Sequence, residues 1–474
     1  MNPIARFFSV QNMIRPEIIK GPLPETRETY TELSRIAFPS VVEMVFMSLI
    51  GSADVIMVSV IGYEAIAAVG LAGQPLMLML SLFFALNVGV TAIVARRKGQ
   101  ERPEEASQTL RNALMLILGL TFVVMFVALT WSRELLLFAG AEADTIDMAE
   151  SYFRILASFL PINAMTMCIN AAQRGIGNTR ITMYTNVTAN VVNVCCNFLL
   201  IYGNWGFPEM GVAGAALASG IGYCAAFVMC LYAIMVNNEE SFLRLSFKDS
   251  WKPHKETLLS ILRVGGNAMI EQAAMRIGFF SYAKIVAGLG TASFAAHQVA
   301  MQFLSLSFTF GDGLAVAATS MVGQMLGRER PDIAEIYGKC GQRMAVVVSV
   351  VLASLIAIFR YPLVSIFLDP TVADNALPYS IAVNLMLMVA VFQPIQMSSV
   401  VISGCLRGAG DNLYVALIMI ICVVGIRPLL SLFAIHTLDL GLIGAWSASL
   451  VDMSVRLTLM YRRFNSGKWH EKKV

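Results

Sequence analysis

The chain has 474 residues, of which 57% are hydrophobic and only 14% charged. A water-soluble domain carries about 25% charged residues, so this composition excludes an ordinary soluble globule. The net charge of +3 is small, and no basic stripe with interleaved aromatics occurs, so nothing supports nucleic acid as a partner.

Residues 1–33 form a mixed N-terminal segment with Pro16, Pro22 and Pro24. It lacks the charged start, apolar core and small-residue cleavage site of a secretory signal. A short amphipathic stretch from Ile4 to Ile14 suits the inner membrane surface. Beyond it, a spanning helix needs about 20 mostly apolar residues, because lipid offers no partner to backbone polar groups. Twelve runs meet this demand: 34–61, 65–95, 107–132, 148–173, 179–203, 210–236, 257–289, 293–326, 334–359, 376–405, 412–435 and 440–464. Several exceed the minimum and imply tilt. The predicted organisation is an N-lobe over 34–236, a polar linker over 237–256, a C-lobe over 257–464 and a tail over 465–474. The eight cysteines all fall within these runs, Cys340 at the more polar start of its own, without metal-ligand spacing, and read as small hydrophobes.

Lys and Arg set the orientation. One set of connections carries Arg96, Arg97, Lys98 and Arg102, then Arg174 and Arg180, Arg244 to Lys255, Arg328 and Arg330, and Arg407. Both terminal segments belong to this basic set, while the alternate connections hold only Arg133 and Arg360 beside several acids. Both termini are therefore expected on the cytoplasmic side, which requires an even number of spans.

Self-comparison reveals an internal repeat. Gly99-Gln-Glu-Arg-Pro-Glu-Glu-Ala106 returns as Gly327-Arg-Glu-Arg-Pro-Asp-Ile-Ala334, an offset of 228 that also carries Glu43 onto Glu271 and Gly62 onto Gly290. Arg174-Gly-Ile-Gly177 returns as Arg407-Gly-Ala-Gly410, and Gly211-Val-Ala-Gly-Ala215 as Gly441-Leu-Ile-Gly-Ala445, with offsets of 233 and 230. Two parallel six-span repeats predict an all-α membrane protein, twelve transmembrane helices in two pseudo-symmetric lobes, with a midplane site of the kind transporters use.

The ordered set of motifs resembles the multidrug and toxic compound extrusion (MATE) family over roughly residues 30–470. It comprises Ala53-Asp54-Val55, Ala67-Ala68-Val69-Gly70, Ala295-Ala296-His297-Gln298, the Arg-Gly-x-Gly turns, Gly-Val-Ala-Gly-Ala-Ala from Gly211, and Arg463-Phe-Asn-Ser-Gly-Lys-Trp469. The resemblance is nearer the DinF-like and other bacterial branch than the NorM-type branch. It implies export of bulky, often cationic drugs in exchange for H⁺ or Na⁺ by rocking of two lobes, in a monomer of the cell inner or plasma membrane. Its partners would be a small-molecule substrate and membrane lipid, with no cofactor besides the coupling ion.

Ionisable groups inside lipid are costly, so each is a functional candidate. Asp54 sits mid-span among apolar neighbours, where a carboxylate can bind Na⁺ or hold a proton, since burial disfavours the charged form. Its structural alternative is a helix–helix hydrogen bond. Asn193 and Asn197 share a helical face. The resemblance implies that Asp54, Asn193, Asn197 and Ser219 match the family's N-lobe cation site. It departs in having Asn at 197 where the family has a second acid, and Ile50 where some members have Tyr. The NorM-type C-lobe acids fall at Met275 and Gln396, so that sodium site looks absent, leaving Asp312 as a candidate C-lobe charge.

Glu43 and Asp54, eleven residues and about 16 Å apart along one helix, share a face. Glu43 and Glu271 could guide a cation or substrate, or simply be solvated in a vestibule. Asp452 and Arg456, spaced four apart, can neutralise each other, and Arg427 before Pro428 fits a helix break. His297 reads as a hydrogen-bonded helix start, with a proton shuttle as the alternative. Met275, Met301, Met386, Met388 and Met397 with Phe279, Phe280 and Tyr282 could line an adaptable drug cavity. A lipid-linked precursor flippase and a polytopic membrane enzyme are the alternatives. The enzyme would need paired acidic motifs or a His cluster, and four distant His supply neither. No Gly-Lys-Ser/Thr phosphate loop occurs, which disfavours direct ATP drive.

Overall fold

Apolar runs become helices because a chain in lipid must satisfy its backbone N–H and C=O groups internally. The computed structural model describes residues 3–14, 16–141, 145–235, 242–245, 249, 251–368 and 376–472, with the side chains of 3–5, 17, 49–56, 59, 63 and 307 outside that description. Every regular element among the described residues is helical. A short α1 (Pro3–Phe8) leads through two tight turns into α2 (Thr26–Ser59), α3 (Tyr63–Gly99), α4 (Pro103–Thr130) and α5 (Ser132–Phe138). Next come α6 (Ile146–Ser158), α7 (Leu160–Gly175), α8 (Thr179–Leu200) and α9 (Gly211–Met235). The second half holds α10 (Lys255–Ala287), α11 (Thr291–Gly327), α12 (Pro331–Ile358), α13 (Arg360–Ser365), α14 (Ala376–Gly408) and α15 (Asn412–Met419). A π-helical turn over Ile420–Ile426 then joins α15 to α16 (Arg427–His436), and α17 (Gly441–Asn465) completes the order.

Seven described helical segments are long and apolar enough to cross a bilayer: α3, α4, α9, α11, α12, α14 and the run Asn412–His436. The predicted span 148–173 is instead two helices, α6 and α7, meeting at a 50° bend. Pro161 in the first turn of α7 explains the break, because its ring removes a hydrogen-bond donor and crowds the preceding turn. Four further helices, α2, α8, α10 and α17, have spanning lengths of 34, 22, 33 and 25 residues but are more polar. Large apolar side chains stand exposed on helix faces, including Phe122, Val123 and Phe126 on α4 and Val347, Val350 and Val351 on α12. Lipid tolerates such faces, whereas water rarely does over so much contiguous area.

The helices pack as two compact units, an N unit of Val42–Gly266 and a C unit of Met1–Val41 with Asn267–Val474. The divisions fall inside α2 and α10, not at the predicted lobe edges of 34, 236 and 257. Packing explains the shift. Leu33, Ile36 and Ala37 of α2 are buried in the C-unit core with Leu314, Ala318 and Cys340. Val41 presses on Gly313 so closely that a Cβ there would lie 2.8 Å from Val41 Cα. In the N unit the start of α10 rests on α3, and a Cβ on Gly265 would lie 3.0 Å from Leu86 Cα. The two exchanges mirror each other, since the 228-residue offset carries Ala37 onto Gly265 and Leu86 onto Leu314.

The repeat is also written in the backbone. Glu101 and Glu329 share a left-handed conformation at φ 57° and 59°, Gly177 and Gly410 both lie at 84°, and Gly211 and Gly441 at 55° and 52°. Both terminal segments are held by the C unit. Val10, Met13 and Ile14 are buried in its core beside Trp469. Lys339 Nζ donates to the Met13 carbonyl at 2.6 Å, and the Lys20 amide donates to Asp332 at 3.1 Å. Of the 4–14 stretch, Val10, Met13 and Ile14 are thus buried against protein, whereas Phe7 stays 50% exposed.

Candidate functional site

In the N unit, the four-residue spacing of Asn193 and Asn197 places both on one face of α8. Helix α9 lies close against it, because a Cβ on Gly222 would come within 2.6 Å of the Ala189 carbonyl oxygen. Asn193 Nδ2 donates to Ser219 Oγ at 2.9 Å, and Asn197 Nδ2 donates to Asn193 Oδ1 at 3.3 Å. Both asparagines are buried, so the chain of amide and hydroxyl oxygens sits inside the unit. Oxygens of this type are ligands for hard cations. Three of the four residues matched to the cation site are thus brought together. The side chains of the fourth, Asp54, and of Ile50 lie outside the described residues.

Each unit buries a carboxylate, Glu43 midway along α2 and Glu271 midway along α10, and gives it a guanidinium. Glu43 Oε1 accepts from Arg174 Nη2 at 2.5 Å and from Asn186 Nδ2 at 2.6 Å. Glu271 Oε1 accepts from Arg407 Nη2 at 2.7 Å, and the same nitrogen donates to Ser403 Oγ at 3.2 Å. Glu43 and Glu271 are buried, while their arginines remain about a quarter exposed, at 24% and 23%. A solvated vestibule therefore does not describe these glutamates. A buried carboxylate without a partner is strongly unfavourable, and the arginine of each Arg-Gly-x-Gly turn removes that penalty. The sequence held both halves of the signal, since glutamates and turns repeat together, but not the pairing. Asp312 is exposed on α11 and interacts electrostatically with Arg407 and Glu271.

The C-unit core departs from expectation. Met275 is half-buried against apolar neighbours, and Gln396 is buried with its Oε1 accepting from Arg456 Nη2 at 3.0 Å. Asp452 interacts electrostatically with Arg456 on its own helix, but accepts its hydrogen bonds from Arg427. Its Oδ2 accepts from Arg427 Nε at 2.9 Å and Arg427 Nη2 at 2.6 Å. The cause lies in the preceding turn: a π-helical segment adds a residue to each hydrogen-bonded ring and rotates the helix beyond it, so Arg427 points inward. Its guanidinium lies over Phe279 and Tyr282, with centroids at 5.1 and 5.7 Å. Arg427 as an ion-pair member is the residue that sequence reasoning missed. Only the Arg-Pro step hinted at it.

His297 is not at a helix start. It lies inside α11, buried among Tyr282, Phe294 and Trp446 at centroid distances of 5.5, 6.1 and 5.6 Å, and its Nδ1 has no partner among the described residues. The methionines do not converge on one cavity either. Met397 is buried in one apolar cluster with Met275 beside it, Met386 in another with Met301 and Met388, and Phe280 is 73% exposed.

Long apolar helices that bury paired charges define a polytopic membrane protein. The MatE family model matches residues 39–199 and 268–433, and the chain belongs to that family, whose members are transporters, not enzymes. Among its relatives is a "Probable multidrug resistance protein NorM" of Thermotoga maritima, 28% identical over 467 residues, covering 97% of this chain and 98% of that one. The "Uncharacterized transporter YisQ" of Bacillus subtilis is 26% identical, covering 98% and 99%. A solved structure described as the "outward-facing conformation of a multidrug resistance MATE family transporter of the MOP superfamily" shares the fold at TM-score 0.85 and 23% identity, covering 92% and 96%.

Proposed function

We propose that this transporter is a secondary antiporter that exports bulky, often cationic drugs or toxins in exchange for H⁺ or Na⁺. In this reading α2, α8, α10 and α17 join the seven apolar spans and the bent α6–α7 pair to give twelve crossings in two six-helix lobes. Both termini then lie in the cytoplasm and the protein works as a monomer in the cell inner or plasma membrane. The observation that supports it best is the convergence of Asn193, Asn197 and Ser219 in the N unit. Asp54 would add the charge that a bound H⁺ or Na⁺ neutralises. A cation drives exchange only if it binds the inward-open and outward-open states unequally, and a single carboxylate exposed to one side at a time meets that need.

Absence of acids at Met275 and Gln396 favours a branch nearer the DinF-like transporters, although the chain's relatives include NorM-named proteins. Glu43, Glu271 and Asp312 would then shape the path of cationic substrate. The test is efflux from proteoliposomes with imposed H⁺ and Na⁺ gradients applied separately. Asp54→Asn should reduce gradient-driven efflux to background while the protein still inserts and folds; efflux at the wild-type rate would remove the coupling role.

A further inference from the structure

Within the C unit, the start of α16 and the middle of α17 bring two guanidiniums and one carboxylate together in a buried cluster, which Gln396 of α14 and Met419 of α15 adjoin. Arg427, Asp452 and Arg456 are 2%, 0% and 2% exposed. Arg427 claims Asp452 through two hydrogen bonds to a single oxygen, Oδ2. Arg456 is left with a neutral amide oxygen, that of Gln396, and a long contact from Nη1 to Met419 Sδ at 3.5 Å. Its Nε has no partner among the described residues. Asp452 and Glu271 act on Arg456 electrostatically, but they accept their hydrogen bonds from Arg427 and Arg407. A guanidinium carries five donors and stays charged at any physiological pH. With one amide oxygen and one thioether as its hydrogen-bond acceptors, Arg456 keeps donors unmet away from water.

We propose that Arg456 is the anchor of an anion site in the C-unit core, taking either a small inorganic anion or the carboxylate of a bound organic molecule. Charge and hydrogen-bond demand point the same way. A monovalent anion beside Arg456 balances the second guanidinium and accepts from the orphaned Nε. Gln396, at the position where an acid stands in the NorM-type pattern, keeps the site positive, since an amide offers an oxygen without a charge.

Full-length protein in lipid nanodiscs tests the site. Chloride, and in a separate arm benzoate, replaces the bulky sulfonate camphorsulfonate at constant pH, sodium and ionic strength, read by thermal stability and by chloride-35 line width. The wild type should show saturable stabilisation by at least one of the two, chloride alone meaning an inorganic occupant and benzoate a carboxylate one. Arg456→Gln should weaken that binding by about tenfold or more. Should that variant not fold, Gln396→Glu decides, because it plants a carboxylate beside Arg456. It should then be as stable in camphorsulfonate as the wild type is in the stabilising anion, and respond to neither. Identical behaviour of the wild type in all three anions overturns the proposal, as does an undiminished response in Gln396→Glu. Binding is read without transport, so its failure is separate from any failure of coupled export in the Asp54 variant.

Discussion

The two units descend from one repeat, yet their interiors have gone separate ways. In the N unit, α8 and α9 meet through amides and a hydroxyl, Asn193, Asn197 and Ser219. In the C unit, α14, α16 and α17 meet through full charges, Arg427, Asp452 and Arg456, with Gln396 among them. What the units share lies elsewhere, in the turns and in the Glu–Arg pairs near the point where α2 and α10 pass from one unit to the other. Duplication thus preserved the framework and its anchoring ion pairs while the core chemistry diverged. Neutral oxygens can host a cation at little cost to folding. A fixed ion pair in lipid commits its helices to one arrangement, because neither partner can leave without a large penalty.

Asp452→Ala strikes at this contrast hardest. It leaves Arg427 buried and unpaired and should cost about 3–5 kcal/mol of stability, seen as a collapse of the thermal transition in detergent or as failure to express. Asp452→Asn keeps the shape and should fall short of that loss. A milder cost would mean that the C-unit charges are solvated after all.

The parity of the anchors comes next. Glu43→Gln and Glu271→Gln should each destabilise by about 2 kcal/mol, less than a fully buried pair because each arginine is partly exposed. The exchange Glu43→Arg with Arg174→Glu should restore part of the loss. Unequal effects of the two single variants would show that the anchors, too, have diverged.

Ser219→Ala removes one hydrogen bond from the N-unit chain and should cost only about 1 kcal/mol. It should nevertheless weaken coupling-ion binding, read as a rise in the H⁺ or Na⁺ concentration needed for half-maximal efflux. Stability loss without that rise would make the hydroxyl structural.

The smallest effect concerns the tail. Burial pushes the His470 imidazole below its ordinary value, an effect that Glu335 opposes and Lys20 reinforces. The folded chain thus prefers neutral His470, and this contribution is present above the unfolded value of about 6.5 and lost as the pH falls through it. The protection of amides 466–472, after allowance for the intrinsic slowing of exchange in acid, should fall as pH drops from about 7.5 to about 5.5, and His470→Phe should blunt the change. The N-unit core, with no histidine among its described buried residues, should show no matching response.

The class of the molecule was legible from the order of its residues. Apolar runs of bilayer length permit only helices in lipid, and the recurrence of Glu43 and Arg174 as Glu271 and Arg407 announced the duplication, because spacing and composition are local properties of the chain. Helical periodicity, fixed at 3.6 residues per turn, likewise put Asn193 and Asn197 on one face. Packing alone settled which helix starts join which unit, which arginine each glutamate binds, and that Asp452 pairs with Arg427 instead of Arg456. A residue four positions away is always within reach along a helix. Whether it wins depends on what neighbouring helices offer, and here a π-helical turn carried a better-placed guanidinium into the core.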